Sequence, residues 1–487
     1  MSTENHVNKV FYRGYEAVIG IEVHVQLKTN SKIFCSDPTV FDAADNENTS
    51  PVSVGMPGTL PVLNQKAIEY SIKTGLALGC TIRDRSVFSR KNYFYPDLPK
   101  GYQISQYDKP ICENGEITIT VNKVPKKISI TRAHMEEDAG KSTHFGDYTL
   151  LNYNRAGIPL LEIVSGPDMN TPQEAAEYGR TIRQIVRYLE VCDGNLEEGS
   201  LRCDCNVSIR KAGEKKLGTK VELKNINSFR FVEKAIEYEI DRQIDEVDSG
   251  KLIVQETRLY DADKNRTFSM RKKENAQDYR YFPDPDLLPI SLAAFNLELI
   301  KKNLPELPSV KSARFQNELG LSEYDAAQLT DEKEVADFFE IVSEKSGNPK
   351  LAANWITSEL MRELNNAKLS ISNSPISPKM LAQLIRLIDT NIISGKIGKT
   401  VFSEMWTSKN NPEDIIKEKG LAQISNTAVI EKMIDDILTA NSEQVTEYRA
   451  GKTKVFGFFV GAAMKATKGQ ANPDVVNQIL KSKLDGK

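Results

Sequence analysis

The sequence predicts an α+β protein in which a strand-rich N-terminal region is followed by a helical remainder. Residues Tyr15–Lys28 alternate strictly between apolar and polar side chains, which is the pattern of a half-buried strand. Glycines and prolines interrupt the first ~290 residues at short intervals, as turns between strands do. From about residue 300 onward the apolar residues recur with helical spacing instead.

The strands of the N-terminal region are predicted from their alternation and from the turn residues that flank them. On the first strand Ile21 and Val23 point to one side, while Glu22 and His24 point to the other. Further strands are expected at Glu116–Val121, Ile128–Arg132, Leu160–Val164 and Ser200–Ile209.

Three helices have recognisable starts. Thr171 is placed to cap a helix that has Pro172 at its first position and Glu174 two residues later, which completes a capping box. In the helical remainder Ser377-Pro378 begins one helix and Asn472-Pro473 begins the last. Short helices joined by short loops are therefore expected after about residue 300.

The composition is that of an ordinary globular protein. Of the 487 residues, 40% are hydrophobic and 27% are charged, so extensive disorder is not expected. There are 64 Lys and Arg against 67 Asp and Glu, which gives a net charge of −3. A nucleic-acid partner would therefore have to be bound by a local basic patch.

The sequence also predicts a cytoplasmic protein that does not enter a membrane. No run of ~18 apolar residues is present and the N-terminal segment is polar, so we expect neither a transmembrane helix nor a signal peptide. The six cysteines form no disulfide framework in a chain of this length, and free thiols in a reducing cytosol are expected.

Acidic residues and histidines form groups that could bind a divalent cation. Glu22 and His24 share the polar side of the first strand, although a solvent-exposed face explains that strand alone equally simply. The segment His134–Ser142 packs three consecutive carboxylates before a glycine and a lysine, and loop carboxylates beside a lysine suit Mg²⁺-assisted phosphoryl transfer. Glu162 lies in an apolar stretch, where an acid is costly unless it is paired, protonated or bound to a metal.

The usual phosphate-binding motifs are absent. Gly140-Lys141-Ser142 resembles the end of a P-loop, but the position that must hold the first glycine is Met135. The same test fails at two Gly-Lys-Thr tripeptides, and no G-x-G-x-x-G opens a helix. If ATP binds, it binds outside the Walker and Rossmann schemes.

The C-terminal tail is basic. From Asn441 to Lys487 there are eight Lys or Arg and four Asp or Glu, a net of +4. Four of the lysines cluster around glycines: Lys452, Lys454, Lys465 and Lys468. This arrangement fits contacts to a phosphate backbone. By charge alone, a solvated helical face is the simpler explanation.

Several segments together are more specific than any one of them. In one order along the chain stand Gly20–Val25, Met56–Asn64, Arg90–Asp97, His134–His144, Glu198–Asp204, Lys220–Asn225, Asp278–Pro283 and Lys468–Pro473. Through these segments the chain resembles the B-subunit family of the tRNA-dependent amidotransferase GatCAB. The resemblance extends over nearly the whole length, from about Tyr15 to Leu484.

The resemblance implies an activity, cofactors and partners. Members of the family bind misacylated Glu-tRNA(Gln) or Asp-tRNA(Asn) and use ATP and Mg²⁺ to phosphorylate the side-chain carboxylate of the esterified amino acid. Ammonia from the amidase A subunit then displaces phosphate, and a small C subunit completes a heterotrimer. The implied fold is a β-rich cradle domain at residues 1–300 that carries the kinase-type site, a helical domain at 301–410 and a YqeY-like, tRNA-binding tail at 411–487.

The resemblance also implies roles for individual residues. The Mg²⁺ ligands are expected to be Glu22, His24, Glu137 and Glu162. The catalytic group is expected to comprise Glu137, Lys91 and Asp204. Binding of the nucleotide is expected to involve Lys141, Ser200 and Arg202. Membership in the family also favours tRNA contacts by the four tail lysines.

One departure from the family pattern predicts the absence of a structural zinc ion. Some relatives hold zinc with two cysteine pairs; here Cys35 remains, and the other three positions are Asp37, Ser50 and Ser53. Two alternatives to the catalytic assignment stay open. The chain could be a tRNA-binding scaffold without chemistry of its own, or the related archaeal-type E subunit, although no synthetase-like insertion is present.

Overall fold

The computed structural model describes residue 10 and residues 12–272, 276–421, 427–467 and 471–485. The chain divides into two compact units, Met1–Leu307 and Pro308–Lys487. The first is built around a large sheet and the second from helices, which confirms the predicted α+β class and its order along the chain. The predicted domain borders at residues 300 and 410 stay predictions.

The strands of the described residues all lie in the first unit. In chain order they are β1 (Tyr15–Gln26), β2 (Thr81–Ile82), β3 (Arg85–Ser86), β4 (Ser89–Asn92), β5 (Tyr102–Ser105), β6 (Cys112–Val121), β7 (Val124–Glu137), β8 (Lys141–Phe145), β9 (Tyr148–Asn152), β10 (Pro159–Ser165), β11 (Leu201–Lys211), β12 (Val221–Lys224), β13 (Glu256–Asp261), β14 (Arg266–Lys272), β15 (Phe282–Pro283) and β16 (Ile290–Ser291). The helices of this unit are α1 (Gln65–Ala77), α2 (Pro172–Tyr188), α3 (Phe229–Asp248) and α4 (Leu297–Lys302).

The main sheet is mixed and has the strand order β14-β13-β12-β11-β1-β10-β7-β6-β2. Its neighbours run antiparallel except for the parallel pair β12 and β13. Ile21 and Val23 of β1 are fully buried in one core with Ile182 of α2 and Ile236 of α3. Because side chains alternate along a strand, Glu22 and His24 point to the opposite face.

The predicted helix start at Thr171 is confirmed in detail. The Thr171 side chain accepts a hydrogen bond from the Glu174 backbone N–H, and the Glu174 side chain accepts one from the Thr171 backbone N–H. Pro172 occupies the first turn, where its missing N–H costs nothing. This reciprocal cap fixes where α2 begins beneath the sheet.

One predicted loop is a strand. The acids that follow His134 were expected in a loop, but β7 continues through Glu136 and Glu137 and pairs with β10 as far as Pro159. The physical reason is the partner strand: residues of β10 supply the hydrogen bonds that extend β7 beyond its apolar stretch. This difference decides which of the acids share a face.

Smaller sheets flank the main one in the first unit. Strands β15, β4 and β5 form a three-stranded sheet in that order, and β3 pairs with β16. Strands β8 and β9 form a separate two-stranded hairpin. The three-stranded sheet contributes Lys91 to the cavity described below, and the segments next to its strands contribute tyrosines.

The second unit is helical throughout its described residues. Its helices are α5 (Pro308–Asn317), α6 (Glu323–Leu329), α7 (Lys333–Ser346), α8 (Pro349–Asn354), α9 (Met361–Ala367), α10 (Pro378–Asp389), α11 (Gly395–Ser408), α12 (Pro412–Lys419), α13 (Thr427–Ala440), α14 (Ser442–Arg449), α15 (Phe456–Ala466) and α16 (Pro473–Leu484). A π-helical turn, Trp355–Leu360, joins α8 to α9. Two separate apolar cores are present, one between Phe315 and Ile416 and one between Ile430 and Leu484.

The predicted helix starts in this unit are also confirmed. The Ser377 side chain accepts a hydrogen bond from the Met380 backbone N–H, and Asn472 caps α16 in the same way. Within the described ranges, none of the helices is both long and apolar enough to cross a membrane.

Candidate active site

A large polar cavity lies on the face of the main sheet that α2 and α3 leave uncovered. Its volume is about 670 Å³, a size typical of small-molecule sites. The lining combines acids and histidines of the main sheet with Lys91 of β4 and with tyrosines of the segments next to β4, β5 and β15. The residues used below are Glu22, His24, Lys91, Tyr93, Tyr107, Arg132, His134, Glu136, Asp138, Glu162, Arg202, Asp204, Glu222, Lys224, Tyr279 and Tyr281.

Strand register brings the central side chains together. His24 of β1 lies directly opposite Glu162 of β10, and Glu162 lies opposite His134 of β7. Two residues before His24 on β1, Glu22 lies opposite Asp204 of β11. Residues that are up to 182 positions apart in the sequence, such as Glu22 and Asp204, thus become cross-strand neighbours on one face.

The first cluster consists of His24, Glu136 and Glu162, whose potential ligand atoms all lie within 4.8 Å of one another. The His24 Nε2 atom is 3.4 Å from a Glu162 oxygen and 3.8 Å from a Glu136 oxygen. His134 Nε2 lies 3.5 Å from the same oxygen of Glu162. Glu162 therefore stands between two imidazoles.

The electrostatics of this cluster reflect burial and mutual charge. Burial on its own lowers the pKa of His24, but the hydrogen bond and charge of Glu162 raise it to about 9. Burial lowers the pKa of His134 to about 4. Burial, followed by the charge of Glu162, raises the pKa of Glu136 to about 7. Burial also opposes ionisation of Glu162, but the neighbouring histidines outweigh it and hold that pKa well below its usual range.

The second cluster consists of Glu22, Asp204 and Glu222, whose oxygens again lie within 4.8 Å of one another. The Asn206 amide donates a hydrogen bond of 3.0 Å to Glu22, and the Lys224 ammonium pairs with Asp204. Burial and then the charges of Glu162 and Asp204 raise the pKa of Glu22. The Lys224 ammonium, which is also 3.7 Å from Glu222, balances part of this charge, and a cation bound by the three acids would balance the rest.

The donor set of both clusters fits a hard divalent cation such as Mg²⁺. Such cations prefer carboxylate oxygens, and the two clusters supply five carboxylates and one imidazole. Two buried polar atoms beside them, His134 Nδ1 and Asn206 Oδ1, have no hydrogen-bond partner among the described residues. Buried polar atoms without partners are rare in folded proteins and point to a bound ligand or water.

Positively charged side chains surround the acids. Lys91 and Arg132 line the cavity and make no ion pair within the described residues. Burial on its own lowers the pKa of Lys91, but the charge of Glu136 outweighs it and raises that pKa. Arg202 is paired with Asp138 at 2.9 Å. The cavity can therefore attract an anionic ligand while its acids hold a cation.

Glu137, which the sequence predicted as a Mg²⁺ ligand and catalytic residue, lies outside both clusters. Its carboxylate points to the other face of β7, contacts the Lys100 ammonium at 2.5 Å and accepts a hydrogen bond from the Ile104 backbone at 2.8 Å. The neighbouring Glu136 faces the cavity instead. The reason is the strand itself, because consecutive side chains of β7 point in opposite directions.

The other predicted site residues are divided between the cavity and the surface. Glu22, His24, Glu162, Lys91, Asp204 and Arg202 all line the cavity. Lys141 is exposed at the start of the β8–β9 hairpin, and Ser200 donates a hydrogen bond to Asp193 in the turn before β11; neither lines the cavity. Lys141 belongs to a hairpin that is separate from the main sheet, whereas Glu136 and Glu137 belong to β7 of that sheet.

The tail lysines are exposed where they are described. Lys452, Lys454 and Lys465 lie at the surface around α15, and Lys452 pairs with Glu447 at 3.0 Å. Lys468 lies outside the described residues. A contact between these lysines and tRNA stays a prediction.

The four positions related to a zinc site in some relatives lie close together. Burial raises the pKa of Asp37, but Ser53, Ser50, Cys35 and the ammonium of the buried Lys32 outweigh it and lower that pKa. The Lys32 Nζ atom is 3.9 Å from the Asp37 carboxylate. An ion pair and polar side chains thus occupy the region, and the expected absence of zinc stays a prediction.

Sequence reasoning missed several residues that line the cavity. Glu136 repeats the alternation of Glu22 and His24, since His134 and Glu136 are also two residues apart on one strand. Glu222 and Lys224 alternate in the same way on β12. Such patterns on β1, β7 and β12, which are separated by β10 and β11 in the sheet, were available as a signal, and Arg132 extends the one on β7. Tyr93, Tyr279 and Tyr281 stand in motif segments already named, whereas Tyr107 gave no signal.

A cavity that gathers two carboxylate clusters beside unpaired cations is typical of sites that bind an anionic ligand together with a divalent cation. The family description "GatB/GatE catalytic domain" matches residues 17–298, and "GatB domain" matches residues 337–484. The chain therefore belongs to the GatB family, which confirms the predicted resemblance.

Close relatives cover almost the whole chain. The B subunit of the aspartyl/glutamyl-tRNA(Asn/Gln) amidotransferase of Bdellovibrio bacteriovorus is 69% identical over 473 residues, which is 97% of this chain and 99% of the relative. The proteins of the same name from Solidesulfovibrio magneticus and Geobacter sulfurreducens are 54% and 55% identical, over 96% and 97% of this chain and 99% and 100% of their own lengths. These relatives are named as subunits of a tRNA-dependent amidotransferase.

Proposed function

We propose that this chain activates and amidates the side-chain carboxylate of an amino acid esterified to tRNA. The substrate is glutamate on tRNA(Gln), aspartate on tRNA(Asn), or both. ATP is the phosphoryl donor and Mg²⁺ the cofactor, and ammonia comes from the amidase A subunit of a heterotrimer that also contains a small C subunit. The reaction takes place in the cytoplasm.

One observation carries this proposal: two carboxylate clusters and unpaired cations share a single cavity. Resonance and negative charge protect a carboxylate from attack by ammonia, so it must first be converted to a better acyl donor. Phosphorylation does this and requires a cation for the phosphoryl oxygens and positive charge for the phosphates. The cavity offers carboxylates and an imidazole as ligands for the cation, and the Lys91 and Arg132 side chains for the phosphates.

The chemistry consists of two displacements. A carboxylate oxygen of the tRNA-borne side chain attacks the γ-phosphorus of ATP, the bond to the bridging oxygen breaks, and ADP leaves. Ammonia then attacks the carbonyl carbon of the acyl phosphate, the bond from that carbon to the phosphate oxygen breaks, and phosphate leaves. Loss of one proton from nitrogen gives the amide.

The residues of this chain have separate tasks in these displacements. Bound Mg²⁺ would be held by the clusters around His24 and Glu22 and would neutralise charge on the phosphoryl group. Glu136 replaces Glu137 in our assignment of the ligands. Lys91 and Arg132 orient the phosphates by charge. The exposed tail lysines contribute contacts to the tRNA backbone.

The proposal is tested with the chain assembled with its A and C partners. The complex receives Glu-tRNA(Gln) or Asp-tRNA(Asn), γ-labelled ATP and Mg²⁺, but neither glutamine nor ammonia. We expect labelled phosphate to be transferred or released only when charged tRNA is present. Uncharged tRNA is the control, because it offers the same backbone without the carboxylate.

Other results would change the assignment. Phosphate release that begins only when glutamine is added would mean that activation waits for ammonia. Amidation without any ATP consumption under either condition would contradict the proposal and favour a scaffold that presents tRNA without chemistry of its own.

A further inference from the structure

A row of tyrosine rings lines the same cavity as the acidic clusters. The centroid distances are 6.0 Å between Tyr93 and Tyr279, 6.1 Å between Tyr279 and Tyr281, and 4.2 Å between Tyr281 and Tyr107. Tyr107 and Tyr281 are nearly parallel, at 9°, whereas the other pairs meet edge to face. All four tyrosines line the cavity.

The backbone around these rings is held in an uncommon conformation. Arg280, between Tyr279 and Tyr281, has a φ of 45°, in the left-handed region that residues other than glycine rarely occupy. The Asn92 amide donates hydrogen bonds of 3.2 and 2.9 Å to the carbonyl oxygens of Tyr279 and Arg280. The structure therefore fixes the direction in which Tyr281 leaves the chain, and strain of this kind is concentrated at functional sites.

The tyrosine rings differ in whether a cation lies over them. The Lys91 ammonium lies 4.8 Å from the centre of the Tyr279 ring and 5.7 Å from that of Tyr93. Among the described residues no cation lies over Tyr107 or Tyr281, and Tyr107 is 44% exposed. Both rings of the stacked pair line the cavity, and within the described part of the chain no protein cation lies over either of them.

Arg132 lines the same cavity as this pair. Burial raises the pKa of Tyr281, and the charge of Arg132 opposes that shift, as expected for a nearby guanidinium. The Arg132 Nε atom is buried and lacks a hydrogen-bond partner among the described residues. A ligand that combines an aromatic ring with phosphate would satisfy both the ring surface and this donor.

We propose that Tyr107 and Tyr281 form a nucleobase subsite in which the stacked pair packs against an adenine ring. The inference rests on the proposed function, because the phosphates of the same nucleotide or the amino acid of the same terminal nucleotide would reach the acidic clusters. Adenine can come from ATP or from the 3′ end of charged tRNA. Stacking suits either source, because every base offers a π-face.

The test compares ligands with and without a base in the assembled complex. The variants are Tyr107→Leu and Tyr281→Leu. For each of them, calorimetry measures the Mg²⁺-dependent binding of ATP and of inorganic triphosphate. The amidation reaction gives the KM for charged tRNA. Tyr281→Phe keeps the ring and is expected to retain the affinity for ATP. Tyr148→Leu is the matched control, since Tyr148 also stacks on an aromatic neighbour, Phe145, but does not line the cavity.

We expect each leucine variant to lose affinity for ATP about tenfold, the scale of one base–aromatic stack, with triphosphate affinity unchanged. A rise in the KM for charged tRNA with ATP affinity unchanged would also support the subsite and assign the base to tRNA. Unchanged values for both ligands, or an equal loss for triphosphate and ATP, would overturn it. Failure of the unsubstituted complex to bind either phosphate compound would instead contradict the proposed function.

Discussion

Two adjacent glutamates on β7 have different surroundings because of strand geometry alone. Glu136 faces the cavity and has a pKa raised by burial to about 7, while Glu137 faces Lys100 on the other side of the strand. The sequence places three acids in a row, and only the alternation of Glu136 with His134 indicates which of the two glutamates enters the site. A one-residue difference in register exchanges their positions, and only the pairing of β7 with β10 decides it.

The second acidic cluster can be tested at Glu222, a residue that sequence reasoning missed. Glu222→Gln removes one charge from the cluster with Glu22 and Asp204, and we expect affinity for Mn²⁺, used as a spectroscopic substitute for Mg²⁺, to fall about tenfold or more. Electron paramagnetic resonance measures free Mn²⁺ directly. The exposed Glu198→Gln serves as the control, and equal affinities for the two variants would remove Glu222 from the site.

The helix starts and the first strand were predictable because their signals lie close together in the sequence. The cap at Thr171 and the starts at Ser377 and Asn472 are each decided by a side chain and a backbone N–H within three residues, so the sequence contained them. The first strand was recognised from alternation for the same reason. The strand end at Glu137 was not, since partner residues from β10 determine it.

Close packing between α1 and β6 gives a stability prediction. A Cβ atom on Gly75 would approach the Cys112 sulfur and lie 2.8 Å from the Ile82 side chain, so Gly75→Ala should destabilise the first unit by about 1–3 kcal/mol. Gly461→Ala in α15 meets nothing within 4 Å and should stabilise its helix by about 0.5–1 kcal/mol. Urea unfolding followed by hydrogen exchange separates the two units. Equal effects at both positions would contradict the packing described here.

In the whole molecule, positive charge is concentrated in the C-terminal tail although the net charge is negative. The overall charge is −3, yet the tail from Asn441 carries a net of +4. The order of a strand-rich and a helical region was predictable from periodicity, and family motifs located most of the cavity. The grouping of the four tyrosines was not predictable, because it brings together segments that are distant in the sequence. Arg132 was overlooked, although it alternates with His134 and Glu136 on β7.

The basic tail allows a prediction about the salt dependence of tRNA affinity. Replacing Lys452, Lys454 and Lys465 together by Ala should reduce the slope of log affinity against log salt by about 2 to 3, as the loss of three phosphate contacts requires. Filter binding of charged tRNA to the assembled complex at several salt concentrations measures it. Replacing three exposed lysines elsewhere, Lys301, Lys302 and Lys409, controls for net charge. Equal slopes for both triple variants would exclude the tail as the contact.

The most direct test of the catalytic assignment compares Glu136→Gln with Glu137→Gln in the assembled complex. Each variant changes one oxygen for nitrogen at neighbouring positions, and ATP turnover dependent on charged tRNA is followed at limiting Mg²⁺. The Glu137 variant leaves Lys100 without its ion pair, so both are compared at a temperature where each is folded. We expect turnover to fall at least tenfold for Glu136→Gln and to persist for Glu137→Gln. The opposite order would contradict the assignment of the acidic cavity as the site of carboxylate activation.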